Sequence, residues 1–411
     1  MRSLSVKDDA LNEVGSRTWD ALFVGAGPAG ALAALNLARL GHPVLLVDAK
    51  EFPRNKVCGG CLNARAQALL AHCGLTDILS QCEATPVDDL QMMHGRRRAK
   101  WPLTGTLAVN RAEFDDALVR KAMEFGVHFL SHTSAQVLKD DRGPLRHIQL
   151  KRGVHSVVAQ AKVVLCADGL SRSSLRSLDG FTSQVDQSSR VGIGAVVEDD
   201  GPAHPSGQLT MAVGRHGYVG ITRISRQRLN VAASVDAKAL ASSTPGELVQ
   251  EILDACGCSA PKSLLQQTWH GTPTLTRSNA RLAAHRLFVL GDAAGYVEPF
   301  TGEGMSLAMH TSVLSVPFVQ AAIAAWEDRL IREWERSLKR KVLFESWSCR
   351  QLSRLVRMPR LAALSLEVCR LAPSLPESLS RHINDRPITG LPPMGPASFS
   401  ADSAPHYRKT G

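Results

Sequence analysis

Short apolar runs that end in glycine or aspartate set the pattern of the chain. Residues 20–27, "DALFVGAG", form a β-rich run closed by glycines, "PAGALAALNLARLG" follows with helical periodicity ended by Gly41, and "HPVLLVDA" is a second buried run. Strand, helix and strand in that order predict a βαβ unit. Further on, "NARAQALLAHCG" reads as helix and "AVNRAEFDDALVRKAMEFGVHFL" as helix followed by strand. The alternating runs "SAQVLKD", "LRHIQLKRG" and "HSVVAQAKVVLCADG" predict a small antiparallel meander that returns to the main sheet. From about Val191 to His270 strands dominate, with "GYVGITRISRQRLNVAASV" as strand, turn and strand. "LFVLGDAAG" then restores the buried-strand pattern, and "GEGMSLAMHTSVLSVPFVQAAIAAW" continues as a helix that Pro317 is expected to kink or interrupt.

These patterns divide the chain into a polar leader (1–18), a nucleotide-binding domain in three parts (19–75, 106–182, 281–325) and a β-rich substrate domain in two (76–105, 183–280). Basic C-terminal helices (326–385) and a Pro/Ser/Gly-rich tail expected to be disordered (386–411) complete it. In the basic segment Leu330, Trp334 and Leu338 recur every fourth position among Arg332, Arg336, Lys339, Arg340 and Lys341. Such an amphipathic face either packs on the protein's own core or makes a peripheral contact with an anionic membrane surface.

Composition narrows the classes. A chain of 411 residues, 44% hydrophobic and 21% charged, can bury a substantial core. The net charge of +10 suits an anionic partner. A bound dinucleotide is itself an anion, though, and the basic residues are scattered as well as clustered, so no nucleic-acid partner is expected. Nine cysteines, an odd number without a repeating framework, read as reduced thiols. The opening residues lack the apolar core of a signal peptide, and no later stretch offers about 18 uninterrupted apolar residues. The expected location is therefore cytoplasmic, with membrane contact limited to the surface.

The chemistry begins at Gly25-Ala26-Gly27-Pro28-Ala29-Gly30, which follows a strand and opens a helix, with Asp48 at the end of the next strand. Glycines there let the backbone approach a pyrophosphate at the positive end of the helix dipole, and Asp48 can accept hydrogen bonds from an adenosine ribose. A second glycine-rich strand-to-helix element, "LFVLGDAAGYVEPFTGEGM", places Asp292 where it can hold ribitol hydroxyls and lets Gly302 and Gly304 turn backbone N–H groups toward a ligand. That helix start suits the negative charge of a reduced flavin, and a nicotinamide dehydrogenase has no use for it. The combination points to FAD.

The segments "VGAGPAGALAA", "CADGLSRSSLR" and "GDAAGYVEPFTGEGM" resemble the p-hydroxybenzoate hydroxylase superfamily of flavoproteins. Within it, "FPRNKVCGGCL" and "PFTGEGM" look most like the geranylgeranyl reductase-like family, over roughly Asp20 to Leu307. The resemblance implies a Rossmann-like FAD-binding domain with an inserted antiparallel β-rich substrate domain and a C-terminal helical segment. It also implies FAD contacts from Asp48, Lys56, Cys58, Gly59, Gly60, Arg111, Asp168, Gly169, Asp292, Gly304 and Met305. The activity it implies is hydride transfer from reduced FAD to a C=C bond of an apolar substrate, with NAD(P)H or a reduced carrier as electron donor. A monooxygenase acting on a similar substrate is the alternative, and a non-catalytic lipid carrier a third reading.

Departures from the family pattern bear on the substrate. Prenyl reductases carry Tyr-x-Trp-x-Phe-Pro in the substrate domain, and "GYVGITRI" keeps only Tyr218. The Trp-x-Trp-x-x-Pro stretch of flavin halogenases is absent from the sequence. The pair Cys58 and Cys61 raises dithiol chemistry, but no second dinucleotide fingerprint accompanies it, and no metal site is expected. Cys58, Tyr218 and Glu303 are the candidates for a proton-delivering acid.

Overall fold

The βαβ pattern near the start of the chain forms the middle of an eight-stranded sheet in this computed structural model, which describes residues 5–139, 142–199, 201–298, 300, 302–340, 351, 357–372, 374–384 and 391. Thr18–Val24 pairs in parallel with Val44–Val47 on one side and with His155–Cys166 on the other. His128–Leu130 and Leu287–Val289 extend the parallel set outward in the two directions. Val44–Val47, Leu287–Val289 and the last four residues of Thr18–Val24 and His155–Cys166 are buried whichever way they point, which is why these runs read as continuously apolar. The meander is also present: Ser134–Val137 and Arg146–Arg152 lie antiparallel beside the first half of His155–Cys166.

Local chemistry starts and stops the helices around this sheet. Pro28 opens Pro28–Arg39 at a position where its missing N–H costs nothing. Asn63 and Asn110 cap Ala64–His72 and Arg111–Glu124 by accepting from the amides of Ala66 and Ala112, each at 3.0 Å. The polar leader folds as a helix, Ser5–Ser16, whose Leu11 and Val14 are buried, and the Trp19 indole donates to the Val14 carbonyl at 3.2 Å.

The second sheet also has eight strands, in the order His270–Thr274, Val191–Glu198, Arg228–Val235, Gly217–Ser225, Gly207–Gly214, Thr85–His94, Arg97–Ala108 and Cys61–Leu62. All neighbours are antiparallel except Gly207–Gly214 with Thr85–His94, the parallel seam that joins the early hairpin to the later strands. One face is covered by Pro245–Ala255, held at its start by a Thr244/Glu247 capping box, with Leu248, Val249, Ile252 and Leu253 packed into the sheet. The other face carries Leu90, Met92, Leu209, Met211, Val213 and Tyr218, with Phe300 and the helix Pro359–Leu371 beside them.

One sequence expectation is corrected. Gly304–Ala324 runs unbroken through Pro317, which lies on the helix's exposed side. This helix is also long and apolar enough to cross a membrane by length and composition, although His310, Thr311, Ser312 and Ser315 interrupt its apolar run in the sequence. All four are buried, and the helix packs on Pro28–Arg39 and Ala64–His72 as a core element.

The basic helix Arg329–Leu338 spends its apolar face on the protein's own core. Leu330, Trp334 and Leu338 are buried, Trp334 between Phe288 at 5.6 Å and Phe318 at 5.3 Å, while Arg332, Arg336, Lys339 and Arg340 face solvent. That face is therefore closed to a membrane. Lys341 and the tail, apart from Leu391, lie outside the described residues. Trp334→Ala is expected to lower unfolding free energy by about 3–5 kcal/mol, the usual cost of emptying a large aromatic site. Urea denaturation measures it, and a loss below about 1 kcal/mol would contradict a core role for this helix.

Candidate functional site

A single row of register brings the sequence motifs together. Val24 pairs with Val47 on one side and Cys166 on the other, and Cys166 pairs with Val289. Four adjacent parallel strands thus end level. The residues that follow are Gly25, Asp48, Asp168 with Gly169, and Gly291 with Asp292. The carboxyl edge of an open α/β sheet is where such folds bind ligands, because helix starts and loops converge there.

The glycines divide the work. A Cβ on Gly25, which has φ +100°, would lie 2.4 Å from the Ala167 carbonyl oxygen, and one on Gly30 would lie 1.9 Å from that of Gly25. These two permit the tight turn and the close helix–strand approach. Around Gly27, at the helix N-cap, a Cβ would meet only the Arg54 guanidinium at 3.5 Å. Gly27 is thus the position that leaves backbone open to a phosphate, with Pro28 and Ala29 buried just behind it. Asp48 fastens the turn: one carboxylate oxygen accepts from the Ala26 amide and the other from the Lys50 amide, both at 2.9 Å.

Beside this turn stands a pair of arginines that share one carboxylate. Arg111, the first residue of its helix, is buried and grips Asp115 with two bonds of 3.1 and 2.9 Å. Burial works against its charge, but Asp115, together with nearby Cys58, holds the guanidinium above its ordinary range. Arg54 bridges Asp115 at 3.3 Å and Asp48 at 3.5 Å and lies over the Phe52 ring. Arg54 was not singled out from the sequence, although it belongs to the "FPRNKVCGGCL" stretch.

On the far side of the row, Asp168 accepts from the Ser174 amide at 2.9 Å through one oxygen, and its other oxygen is buried without a hydrogen-bond partner. Burial pushes the Asp168 carboxyl up, against the lowering effect of the serine hydrogen bonds. Within "DGLSRSSLR", Arg172 adopts a left-handed conformation (φ 44°) between two short 3-10 turns. Its guanidinium donates to the carbonyls of Ala293 at 2.6 Å and Phe181 at 2.9 Å, which ties the Asp168 loop to the Asp292 loop. Lys56 reaches the same place: its ammonium lies 3.5 Å from the Asp292 carboxylate, and a Cβ on Gly169 would meet it at 3.7 Å.

The third group lies between the two sheets. Gly60 (φ +70°) packs against the Val109 carbonyl and donates to the Cys58 sulfur at 3.4 Å, while a Cβ on Gly59 would meet nothing within 4 Å. The Cys58 carbonyl accepts from Asn230 of the second sheet at 2.9 Å. Gly302 and Gly304 precede and open the Gly304–Ala324 helix; Met305 is buried in the core behind it. Glu303 takes the N-cap position and is buried, but its side chain makes no capping hydrogen bond.

Tyr218 packs edge-on against Phe300 at 5.0 Å and shares hydrogen bonds with Ser234 and Glu298. Its phenol is pushed well above the ordinary tyrosine value by burial and by the Glu298 charge. Tyr296, which sequence reasoning missed, is raised in the same way by burial and by Asp292, Cys58 and Tyr218 nearby. Glu298, also missed, is fully buried and is met by Ser234 at 2.8 Å, by Arg190 at 3.6 Å and by Arg357. Nothing in the sequence pattern marked Arg190 or Arg357 as its partners, since they lie 108 and 59 residues away.

Burial, with the neighbouring Cys58, pushes the Cys61 thiol up to about 12, so it stays protonated at neutral pH and is a poor nucleophile for disulfide exchange. The eight described cysteines are free. No cluster of three metal-ligating side chains occurs among the described residues. The donor set fits the dinucleotide implied by the motifs: an open glycine backbone at Gly27, two cations beside it, and an unpaired buried acceptor at Asp168.

The FAD binding domain family matches residues 18–316 of the chain. "Conditioned medium factor receptor 1" of Dictyostelium discoideum is 25% identical over 78% of this chain, which spans 65% of that protein's length. A menaquinone reductase of Mycolicibacterium smegmatis is 26% identical over 83% of this chain and 85% of its own. Among solved structures, the flavin-dependent brominase Bmp2 superposes with a TM-score of 0.73 over 94% of this chain and 96% of its own, at 18% identity, a likeness of fold.

Arg54→Ala is expected to weaken FAD binding about tenfold to a hundredfold, the loss of a charge-assisted contact, as read by flavin fluorescence titration. Unchanged affinity would remove Arg54 from the site. At pH 8, Cys61 should react with iodoacetamide on the order of a hundredfold more slowly than an exposed thiol, as mass spectrometry of timed samples would show. Rapid labelling would reopen the dithiol reading.

Proposed function

The chain belongs to the FAD binding domain family, and from that premise we propose that it reduces a C=C bond of an apolar, isoprenoid-like substrate, drawing electrons from NAD(P)H or a reduced carrier. Bound FAD would supply the hydride chemistry, while the protein supplies binding, orientation and the proton. Gly27 with Arg54 would hold the pyrophosphate on the turn that Gly25 and Gly30 make possible, Asp48 the ribose, and Lys56, Gly169 and Asp292 the ribityl region. Gly59, Gly60 and the helix start at Gly302–Gly304 would flank the ring.

The observation that carries the reading is the apolar wall of the second sheet, where Leu90, Met92, Leu209, Met211 and Val213 surround Tyr218. A saturated or prenylated carbon chain lies against such a surface without leaving polar groups unpaired. The relative named for menaquinone reduction, matched over most of its length, supports the same substrate class.

The lost family tryptophan has a local counterpart. Gly220 stands two residues after Tyr218 on the same face of its strand, and a Cβ there would lie 3.0 Å from the Met211 sulfur. Met211 thus fills the space beside Gly220 with a flexible thioether that adapts to an irregular apolar guest. Where the family has proline, Arg223 is buried and bonded to the carbonyls of Asp199 and His204, at 2.7 and 2.9 Å, so the far end of the motif has become structural.

Tyr218 is the best placed of the proton candidates. Burial and Glu298 keep its phenol protonated at neutral pH, and Ser234 and Glu298 fix its direction. Cys58 contacts Arg111 and lies close to Tyr296, on the flavin side of the cleft.

Anaerobic incubation with NADPH and a polyprenyl quinone tests the reading by mass spectrometry of the product. Gain of two hydrogens without O₂ is expected. Product that forms only with O₂ and carries a new oxygen would replace the reductase by a monooxygenase. Tyr218→Phe is expected to lower kcat about tenfold to a hundredfold with little change in KM. Because its pKa is raised, the wild-type rate should show no loss through Tyr218 below pH about 10.

A further inference from the structure

The C-terminal helices carry an apolar face that is exposed among the described residues. Pro359–Leu371 turns Ala362 and Leu366 inward, Leu366 against Ala99 and Trp101 of the second sheet. Its outer side shows Leu361, Leu364, Val368 and Leu371, and Leu375 at the start of Ser374–Asn384 is exposed as well. Spacings of three and four residues align Leu361, Leu364, Val368 and Leu371 along one outward strip, and Leu364 and Leu371 are 61% and 71% exposed. Soluble surfaces scatter single leucines, but a contiguous line of them marks a contact.

Two observations identify what covers it. The first is charge. Arg370 and Arg381 are exposed along the two helices but paired there with Glu367 and Glu377, so the surplus positive charge comes from the adjoining sheet edge, where Arg96, Arg97 and Arg98 are exposed beside the Lys100–Asp89 pair. A cationic border around an apolar strip is complementary to an anionic bilayer surface.

The second is continuity. Behind the exposed strip, Leu366 meets Trp101, Leu90 and Met92, and those last two also join the cluster of Met211, Tyr218 and Phe300. One apolar wall therefore runs from the inner side of this helix, directly beneath the strip, to the candidate site. We propose that the strip on Pro359–Leu371 and Ser374–Asn384 rests on an anionic lipid surface, from which an apolar substrate passes along this wall to Tyr218. The route rests on the proposed substrate class; the contact itself does not.

Co-sedimentation of the full-length oxidised protein, without substrate, with phosphatidylcholine vesicles with and without phosphatidylglycerol tests the contact separately from any turnover. The wild-type protein is expected to bind the anionic vesicles, to bind neutral ones more weakly, and to be released in part by salt. Leu364→Glu with Leu371→Glu should weaken binding about tenfold or more while the flavin spectrum and circular dichroism stay unchanged. Wild-type protein that ignores anionic vesicles overturns the proposal, and so does a folded variant that binds as wild type. A wild-type dimer that the double variant converts to monomer, with no vesicle binding by either, would assign the strip to a second copy of the chain instead.

Discussion

The level ending of four parallel strands is the constraint on which the rest of the molecule depends. Pairing of Val24 with Val47 and Cys166, and of Cys166 with Val289, sets Gly25, Asp48, Asp168 and Asp292 side by side although they span 267 residues of sequence. A slip of one residue in any of these strands would turn its side chains to the opposite face and move its loop out of line. The buried apolar runs of the strands fix that register, so core packing and site geometry are one problem. The helix Gly304–Ala324 serves both, since Met305 and Met309 pack in the core while Gly304 opens the helix at the site.

Two buried carboxylates organise what the sheet brings together. Asp115 sits between Arg54 and Arg111, and Glu298 between Arg190 and Arg357. A fully buried carboxylate is costly unless it is paired and hydrogen-bonded, and removing one partner strands the other charge. Asp115 thereby holds two cations at the end of the candidate site nearest the Gly25–Gly30 turn. Glu298 works at the other end, where it joins Tyr218 and Ser234 to Arg357, which leads into the C-terminal helices. The C-terminal helices are thus tied to the proposed proton donor by an ion pair rather than by apolar contact alone.

Much of this was legible because local sequence and local structure agree. The glycine fingerprint, the meander and the Asp292 strand end each need only a short stretch to be recognised, and each folds where its pattern places it. What escaped needed partners far apart in sequence. Arg54 gains meaning only beside Asp48 and Asp115, and Glu298 only beside Arg190 and Arg357. The helix Arg329–Leu338 shows the same limit from the other side: its amphipathic spacing was plain, but whether a membrane or Phe288 and Phe318 would meet Trp334 depended on the tertiary fold. Pro317 misled because a proline on an exposed helix side is tolerated where one on a buried side is not.

The central claim is that these strand ends together hold one FAD. Purified protein, denatured after its visible spectrum is recorded and its released cofactor separated by chromatography, tests it most directly. The account predicts one intact FAD per chain, with an Asp292→Ala variant that binds it more weakly. A colourless protein that also refuses added FAD, or one that releases only a mononucleotide flavin, would contradict it.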